Sequence, residues 1–420
     1  MTWLRGAACA LGVLFGVWVW APVPLAFPPA DAPEVRALWV TRASLASPES
    51  IAALVRTASE QGFNTLLVQV RGRGDAYFAS DLEPRASELS RQPASFDPLA
   101  AVLTAARERN VRVHAWISVN LVSSAFELPA SPDHLVYRHP EWLMVPRPIA
   151  QELAKLDPGN PAYVGKISRW TRGESVTVEG LYATPVNPDA AAYTARIVAD
   201  LARRYDLDGI HLDYARFPNQ QFDYSRFTIA EFRSDIRPKL SAEARKELDA
   251  AEADDLFAYP DRFPAEFTAF RRARLTALVA GIRQSVHDLR PSAVVTAAVF
   301  PDSQDAYDVR LQDWRGWLGA HLVDAVAPMA YTQEADRFAE QIAAAKEIAG
   351  GRAVWAGIGA YRLTPAQTIE NIQAARRIGA AGFVLFSYDT LIGTKSTSSN
   401  YLATVSRGAF AASASVPNGK

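Results

Sequence analysis

The sequence predicts an α/β fold, a (β/α)8 TIM barrel with long insertions after its third and fourth strands. Three observations carry this. Apolar runs of strand length alternate with helical segments eight times, the helices start and stop on consistent capping signals, and composition does not shift between the two halves. A chain of 420 residues suits one barrel with insertions.

The first 26 residues read as an export signal. Arg5 supplies a positive start, Ala7 to Trp20 a short apolar run, and Ala21-Pro-Val-Pro-Leu-Ala26 small residues suited to cleavage. The run is short for a membrane span. Export to the periplasm or cell surface is therefore expected, with the segment either cleaved or retained as an N-terminal anchor, the sole membrane attachment foreseen. Cys9, the only cysteine, lies inside it, so a mature chain has no disulfide and no cysteine nucleophile or ligand. A lipoprotein reading is weak because the apolar run follows Cys9 instead of preceding it. Residues 27–34 form a Pro-rich linker, 35–410 the barrel, and 411–420 a Ser/Ala-rich tail expected to be disordered.

The predicted strands are Val35–Val40, Thr65–Val70, Val111–Ile117, Gly209–Asp213, Ala293–Val299, Val323–Met329, Ala353–Gly357 and Gly382–Ser387. Between them, Ser47-Pro48, Asp97-Pro98, Asn187-Pro188 and Thr364-Pro365 each place an N-cap before a Pro in the first helical turn. Gln367 completes a capping box with Thr364, while Gly62, Asn110 and Gly379 mark helix ends. The two long connections, Asn120 to Pro188 and Asn219 to Pro264, both leave C-terminal strand ends. Insertions there shape substrate clefts.

The stretch Asp208-Gly-Ile-His-Leu-Asp-Tyr-Ala-Arg-Phe-Pro218 reads as a strand that ends in chemistry. Ile210 and Leu212 share the outer face, and His211 and Asp213 the inner one. Asp213 sits at the C-terminal end, where barrel enzymes gather catalytic groups. Asp208 lies roughly 16 Å away, at ~3.3 Å per residue, and is read as structural. Alternation and position add further candidates at the same face: Gln69, Arg71, His114, Trp116, Asn120, His211, Tyr214, Arg216, Tyr331, Tyr361 and Tyr388 as substrate contacts, and Glu334, Asp302 and Asp389 as carboxylates. Each has a plainer reading. Arg71 or Arg216 would simply pair with Asp213, His114 and His211 would be hydrogen-bonded core residues, and Asp389 and Glu334 would cap helices.

Ten Trp and fourteen Tyr offer faces for sugar rings, although packing accounts for most of them. A net charge of -1 gives no electrostatic case for nucleic acid. His211-x-Asp213 with His114 is a conceivable metal set, but barrel metal sites favour a His-x-His pair or dense carboxylates. No metal and no cofactor is expected.

Several blocks together resemble one family. Glu34-Val-Arg-Ala-Leu-Trp-Val40, Phe63-Asn-Thr-Leu-Leu-Val-Gln-Val-Arg71 with Gly74-Asp-Ala-Tyr77, His114-Ala-Trp116, His139-Pro-Glu-Trp142, Asp208 to Asp213, Val323 to Tyr331 and Phe386-Ser-Tyr-Asp389 are similar to the glycosyl hydrolase-like 10 proteins of bacterial envelopes. The resemblance runs from about Glu34 to about Leu391. It implies a TIM-barrel glycoside hydrolase, exported, acting on a polysaccharide such as peptidoglycan glycan strands stripped of stem peptides, and associated with the envelope or the divisome. Many members carry two successive aspartates after strand four. Here Asp213 matches the first and Tyr214 stands at the second. The chitinase pattern does not fit, since it wants a Glu where this chain has Ala215.

Glycosidic cleavage uses two carboxylates across the scissile bond. Asp213 is the first, and Glu334, Asp302 and Asp389, in that order, are the expected partners. Two alternatives remain at this level: a glycan-binding barrel without catalysis, and a metal-dependent deacetylase or amidase.

Overall fold

The computed structural model describes residues 34–393 and 400–410. The expected export signal, most of the linker and the tail lie outside the described residues. Strands β1 (Val35–Val40), β2 (Thr65–Arg71), β3 (Arg112–Ser118), β4 (Leu121–Ser123), β5 (Leu181–Tyr182), β6 (Gly209–Asp213), β7 (Val294–Val299), β8 (Ala325–Ala330), β9 (Ala353–Ile358) and β10 (Gly382–Phe386) follow in order. All but β4 and β5 close into one parallel barrel, ordered β1-β10-β9-β8-β7-β6-β3-β2. Every predicted strand is present, with ends shifted by a residue or two.

Local chemistry sets the helices between them. Ser47 and Ser50 form a reciprocal capping box at Pro48–Glu60, and Asp97 accepts from Ala100 N to start Pro98–Arg107. Asn187 accepts from Asp189 and Ala190 N to start Pro188–Arg204. Thr364 and Gln367 cap Pro365–Ile378, which ends at Gly379 in the left-handed region, φ 81°. These caps satisfy donors that the first helical turn leaves orphaned.

Side chains alternate between two cores. Leu38, Val68, Val113, Ile210, Leu212 and Val295 face outward against the helices. Ala37, Trp39, Leu67, Trp116, Ala298, Ala327, Trp355 and Val384 fill the lumen, as closed parallel barrels require. Gly209 is needed here, because a Cβ on it would stand 2.5 Å from His114 Nδ1.

The insertions contain structure of their own beyond the barrel alternation. After β3, the antiparallel pair β4 and β5 and helices Leu135–Arg138, Arg147–Leu153 and Pro161–Gly173 build one lobe. After β6, helices Arg226–Ile236, Ala242–Ala251 and Ala258–Arg262 lead into the long Pro264–Leu289. The two lobes share a core that includes Leu143, Tyr163, Ile167, Phe232, Tyr259 and Phe267. A bidentate pair, Arg147 to Asp261 at 2.7 and 2.8 Å, joins them at the surface. Among the described residues no helix is long and apolar enough to cross a membrane.

Candidate functional site

A cavity of about 210 Å³ opens at the C-terminal ends of the barrel strands. Trp39, Gln69, Trp116, Asp213, Ala298, Met329 and Phe386 come from the strands themselves, while Thr41, Tyr214, Arg216 and Tyr331 follow just beyond strand ends. A larger depression of about 550 Å³, between Leu82, Arg138, His139, Trp142 and Tyr193, is lined by none of these residues. Of the two, the smaller is the one that Asp213 lines.

Its apolar half is an aromatic box. Trp39 meets Phe386 at 6.0 Å and Tyr331 at 6.3 Å, both edge-on, and Tyr331 lies 5.6 Å from Phe386. Tyr361, 49% exposed, continues the box outward at 6.2 Å from Tyr331 and 5.9 Å from Phe386. Such rings suit the faces of a pyranose.

Its polar half is built around Asp213. Oδ2 accepts the Trp116 indole N–H at 3.1 Å, and Oδ1 accepts Tyr214 N at 2.7 Å with Arg216 Nη1 at 3.4 Å. Tyr214 holds a left-handed φ of 50°, a costly conformation for a bulky residue and one that collects at functional sites. Burial drives the Asp213 carboxyl above the usual carboxylate range, and neither Arg216 nor the two N–H donors fully offset it. Arg216 stacks on Tyr214, 4.0 Å from its ring centre, and despite burial stays firmly charged among Tyr182, Glu179 and Asp213.

Arg216 also reaches a residue that alternation along strands could not reveal. Its Nη2 donates to Glu179 Oε1 at 3.2 Å, while Tyr182 donates its hydroxyl to Glu179 Oε2 at 2.6 Å. Glu179 arrives from the insertion, just before β5. Burial works against its charge, but Arg216 and the Tyr182 hydroxyl outweigh that and hold it below the ordinary value. Trp39 and Phe386 are the aromatic lining residues left unread, beside Thr41, Ala298 and Met329. Period-two alternation along β1 and β10 was the signal for both.

The structure brings Gln69, Trp116, Asp213, Tyr214, Arg216 and Tyr331 together around the cavity, with Tyr361 at its rim. His211 lies under the floor, fully buried, its Nε2 accepting the Trp39 indole N–H at 2.9 Å and its Nδ1 bonded to Thr296 Oγ1 at 2.8 Å. His114 is deeper still, against Trp355 at 5.5 Å.

The remaining candidates are committed elsewhere. Arg71 is buried in an ion pair with Glu83 at 2.7 Å and also donates to Ser118 O. The Asn120 side chain donates to Ala183 O at 2.9 Å, pinning the insertion. Tyr388 is buried, away from the cavity lining.

None of the three expected partner carboxylates lines the cavity. Asp389 accepts from Thr41 N at 2.7 Å and Ser44 Oγ at 2.6 Å. Asp302 caps Ser303–Asp308 through Gln304 and Asp305 N. Glu334 is exposed at the start of Ala335–Ala349. Asp208 accepts from Val113 N at 2.8 Å, a structural role as read. Among the described residues, no group of three or more His, Cys, Asp or Glu gathers at metal-binding separation.

Comparison with solved structures returns the same barrel. The PgaB (BpsB) glycoside hydrolase domain from Bordetella bronchiseptica aligns with a TM-score of 0.61 at 15% identity, covering 90% of this chain and 98% of that one. The GH42 β-galactosidase Gan42B from G. stearothermophilus aligns at 0.58 and 14% identity, covering 90% and 56%. By sequence, Glycosyl hydrolase DigH of Escherichia coli (strain K12) is 23% identical over 358 residues, 75% of this chain and 65% of that protein. Glycosyl hydrolase YngK of Bacillus subtilis (strain 168) is 23% identical over 171 residues, 39% and 27%. The chain thus spans less than two thirds of these curated relatives. The family model described as Glycosyl hydrolase-like 10 matches residues 34–372, most of the described chain, and the protein belongs to that family.

Proposed function

We propose that the protein is an exported glycoside hydrolase that cleaves a bacterial envelope glycan, with peptidoglycan glycan strands as its substrate. The observation that carries this reading is Asp213: a buried carboxyl with a raised proton affinity, at a strand end, opening into a box of aromatic rings. A carboxyl with a raised proton affinity is what a general acid needs to protonate a leaving glycosidic oxygen. The rings of Trp39, Tyr331 and Phe386 hold the sugar, Gln69 and Arg216 take its hydroxyls, and Tyr361 extends the platform along the chain. The family, and the names of its relatives as glycosyl hydrolases, support hydrolysis. The Arg5-to-Ala26 segment supports export, and export supports an envelope substrate.

The decisive experiment is mass spectrometry of products from purified peptidoglycan, with stem peptides present or removed, incubated with the chain from about Phe27. New reducing ends that vanish with Asp213→Asn and persist with a chelator are expected. Retention of glycan with no new ends on either substrate would instead identify a binding protein. Loss with the chelator would favour a metal-dependent deacetylase or amidase.

A further inference from the structure

Hydrolysis through Asp213 calls for a second carboxylate facing it; Glu334, Asp302 and Asp389 neither line the cavity nor touch its arginine, whereas Glu179, standing behind the lining, is bonded to Arg216. We propose that Glu179, supplied by the insertion after β3, is that second catalytic carboxylate and acts as the nucleophile. The inference rests on the hydrolase reading above.

One guanidinium joins the two groups: Arg216 Nη1 stands 3.4 Å from Asp213 Oδ1, and Nη2 stands 3.2 Å from Glu179 Oε1. Two carboxylates bridged by one guanidinium stand within the range over which glycosidase carboxyls work, and the anomeric configuration of the product tells which geometry applies. Retaining glycosidases keep their carboxyls about 5–5.5 Å apart, whereas inverting ones leave roughly 6.5–9.5 Å for a water. The Glu179 side chain is 37% exposed, open to a substrate in a way that Arg71 or Glu83 is not. Its environment also opposes that of Asp213. Tyr182 and Arg216 hold Glu179 ionised, while burial holds Asp213 toward its protonated form. Two carboxyls whose surroundings push their proton affinities apart divide into an acid and a nucleophile.

In the first step the bond from the anomeric carbon to the glycosidic oxygen breaks, and its electron pair leaves with that oxygen, which takes the proton of Asp213. A Glu179 oxygen gives an electron pair to the anomeric carbon and forms a glycosyl ester. In the second step water adds its oxygen to that carbon and gives a proton to Asp213. The ester bond breaks and returns its pair to Glu179. Tyr182 and Arg216 position Glu179 in both steps.

The test uses the mature chain, peptidoglycan stripped of stem peptides, and the variants Glu179→Gln and Glu179→Ala. The Gln side chain can still accept from Arg216 through its carbonyl and donate its amide to the Tyr182 hydroxyl oxygen but carries no charge, so a purely structural role would survive it. Expected are a loss in kcat of at least about 10³-fold with KM little changed, retained anomeric configuration in wild-type products, and recovery of Glu179→Ala by azide, seen as a glycosyl azide by mass spectrometry. Glu179→Gln within tenfold of wild type, or inverted products, would overturn the assignment while leaving the hydrolase reading intact. A folded wild type that releases no reducing ends would remove the hydrolase reading, and this one with it.

Discussion

Trp39 donates its indole N–H to Nε2 of His211 at 2.9 Å, across the barrel interior from β1 to β6. Because Nε2 accepts, the proton of this imidazole sits on Nδ1 and points to Thr296 Oγ1. Burial lowers His211 to about 3, so it is neutral at working pH. The pair fixes the ring that floors the cavity.

His211→Leu removes the acceptor and leaves a buried indole N–H unsatisfied. Since a misplacement of about 1 Å in a reacting site costs on the order of 10²-fold, kcat/KM should fall by roughly that factor, while Trp39→Phe, which keeps a ring, should lose less. Steady-state kinetics on both variants decide it. Equal activity in wild type and His211→Leu would sink the idea.

His114 and His211 are both fully buried, and burial lowers each from 6.5 to about 3. The unfolded chain therefore binds more protons between those values. The stability that the neutral rings contribute is whole above about pH 6.5 and is lost as pH falls toward 3, at up to about 1.4 kcal/mol per pH unit for each ring. Urea midpoints at pH 7, 5.5 and 4.5 should fall steadily, and less steeply in His114→Gln. An unchanged slope in that variant would count against the account.

Arg71 and Glu83 form a pair with side chains 1% and 0% exposed. Removing one partner strands a buried charge, and Arg71→Met or Glu83→Leu alone should cost about 3–5 kcal/mol. The double variant should cost much less, because no charge is left unpaired. Denaturant melts of the four proteins close the cycle. Additive losses in the double variant would show that the two residues are not coupled.

The raised proton affinity of Asp213 has a stability signature as well as a catalytic one. A carboxyl raised in the folded state contributes stability below its ordinary range, and that contribution is lost as pH rises through its folded value. At pH above that folded value the protein therefore bears a buried charge that Asp213→Asn removes. There the variant should melt higher than wild type, by on the order of 1 kcal/mol for each tenfold rise in the carboxyl's proton affinity, with the gap closing as pH falls, while activity falls by about 10²–10⁴-fold. Calorimetry from acid to alkaline pH provides the check, and a variant that melts lower than wild type at the alkaline end would contradict it.

Strand periods, Pro-led helix starts and the strand-end position of Asp213 were legible in the chain because each depends on neighbours within a few residues. Trp39 and Phe386 were legible by the same alternation, since side chains two apart on a strand share a face whatever surrounds them. The fates of Arg71, Asp389 and Glu179 were not. Arg71 is paired with Glu83 12 residues away, Asp389 ties down Thr41 from 348 residues away, and Glu179 meets Arg216 across 37 residues through an insertion folded on strands of two and three residues. The sequence by itself determined the barrel, its caps and one carboxylate, since these follow from local backbone preferences and from which face of a strand is buried. Only the tertiary structure decided which charged groups are spent on one another and which are left facing the cavity, because ion pairing acts over a few ångströms in space and carries no period along the chain.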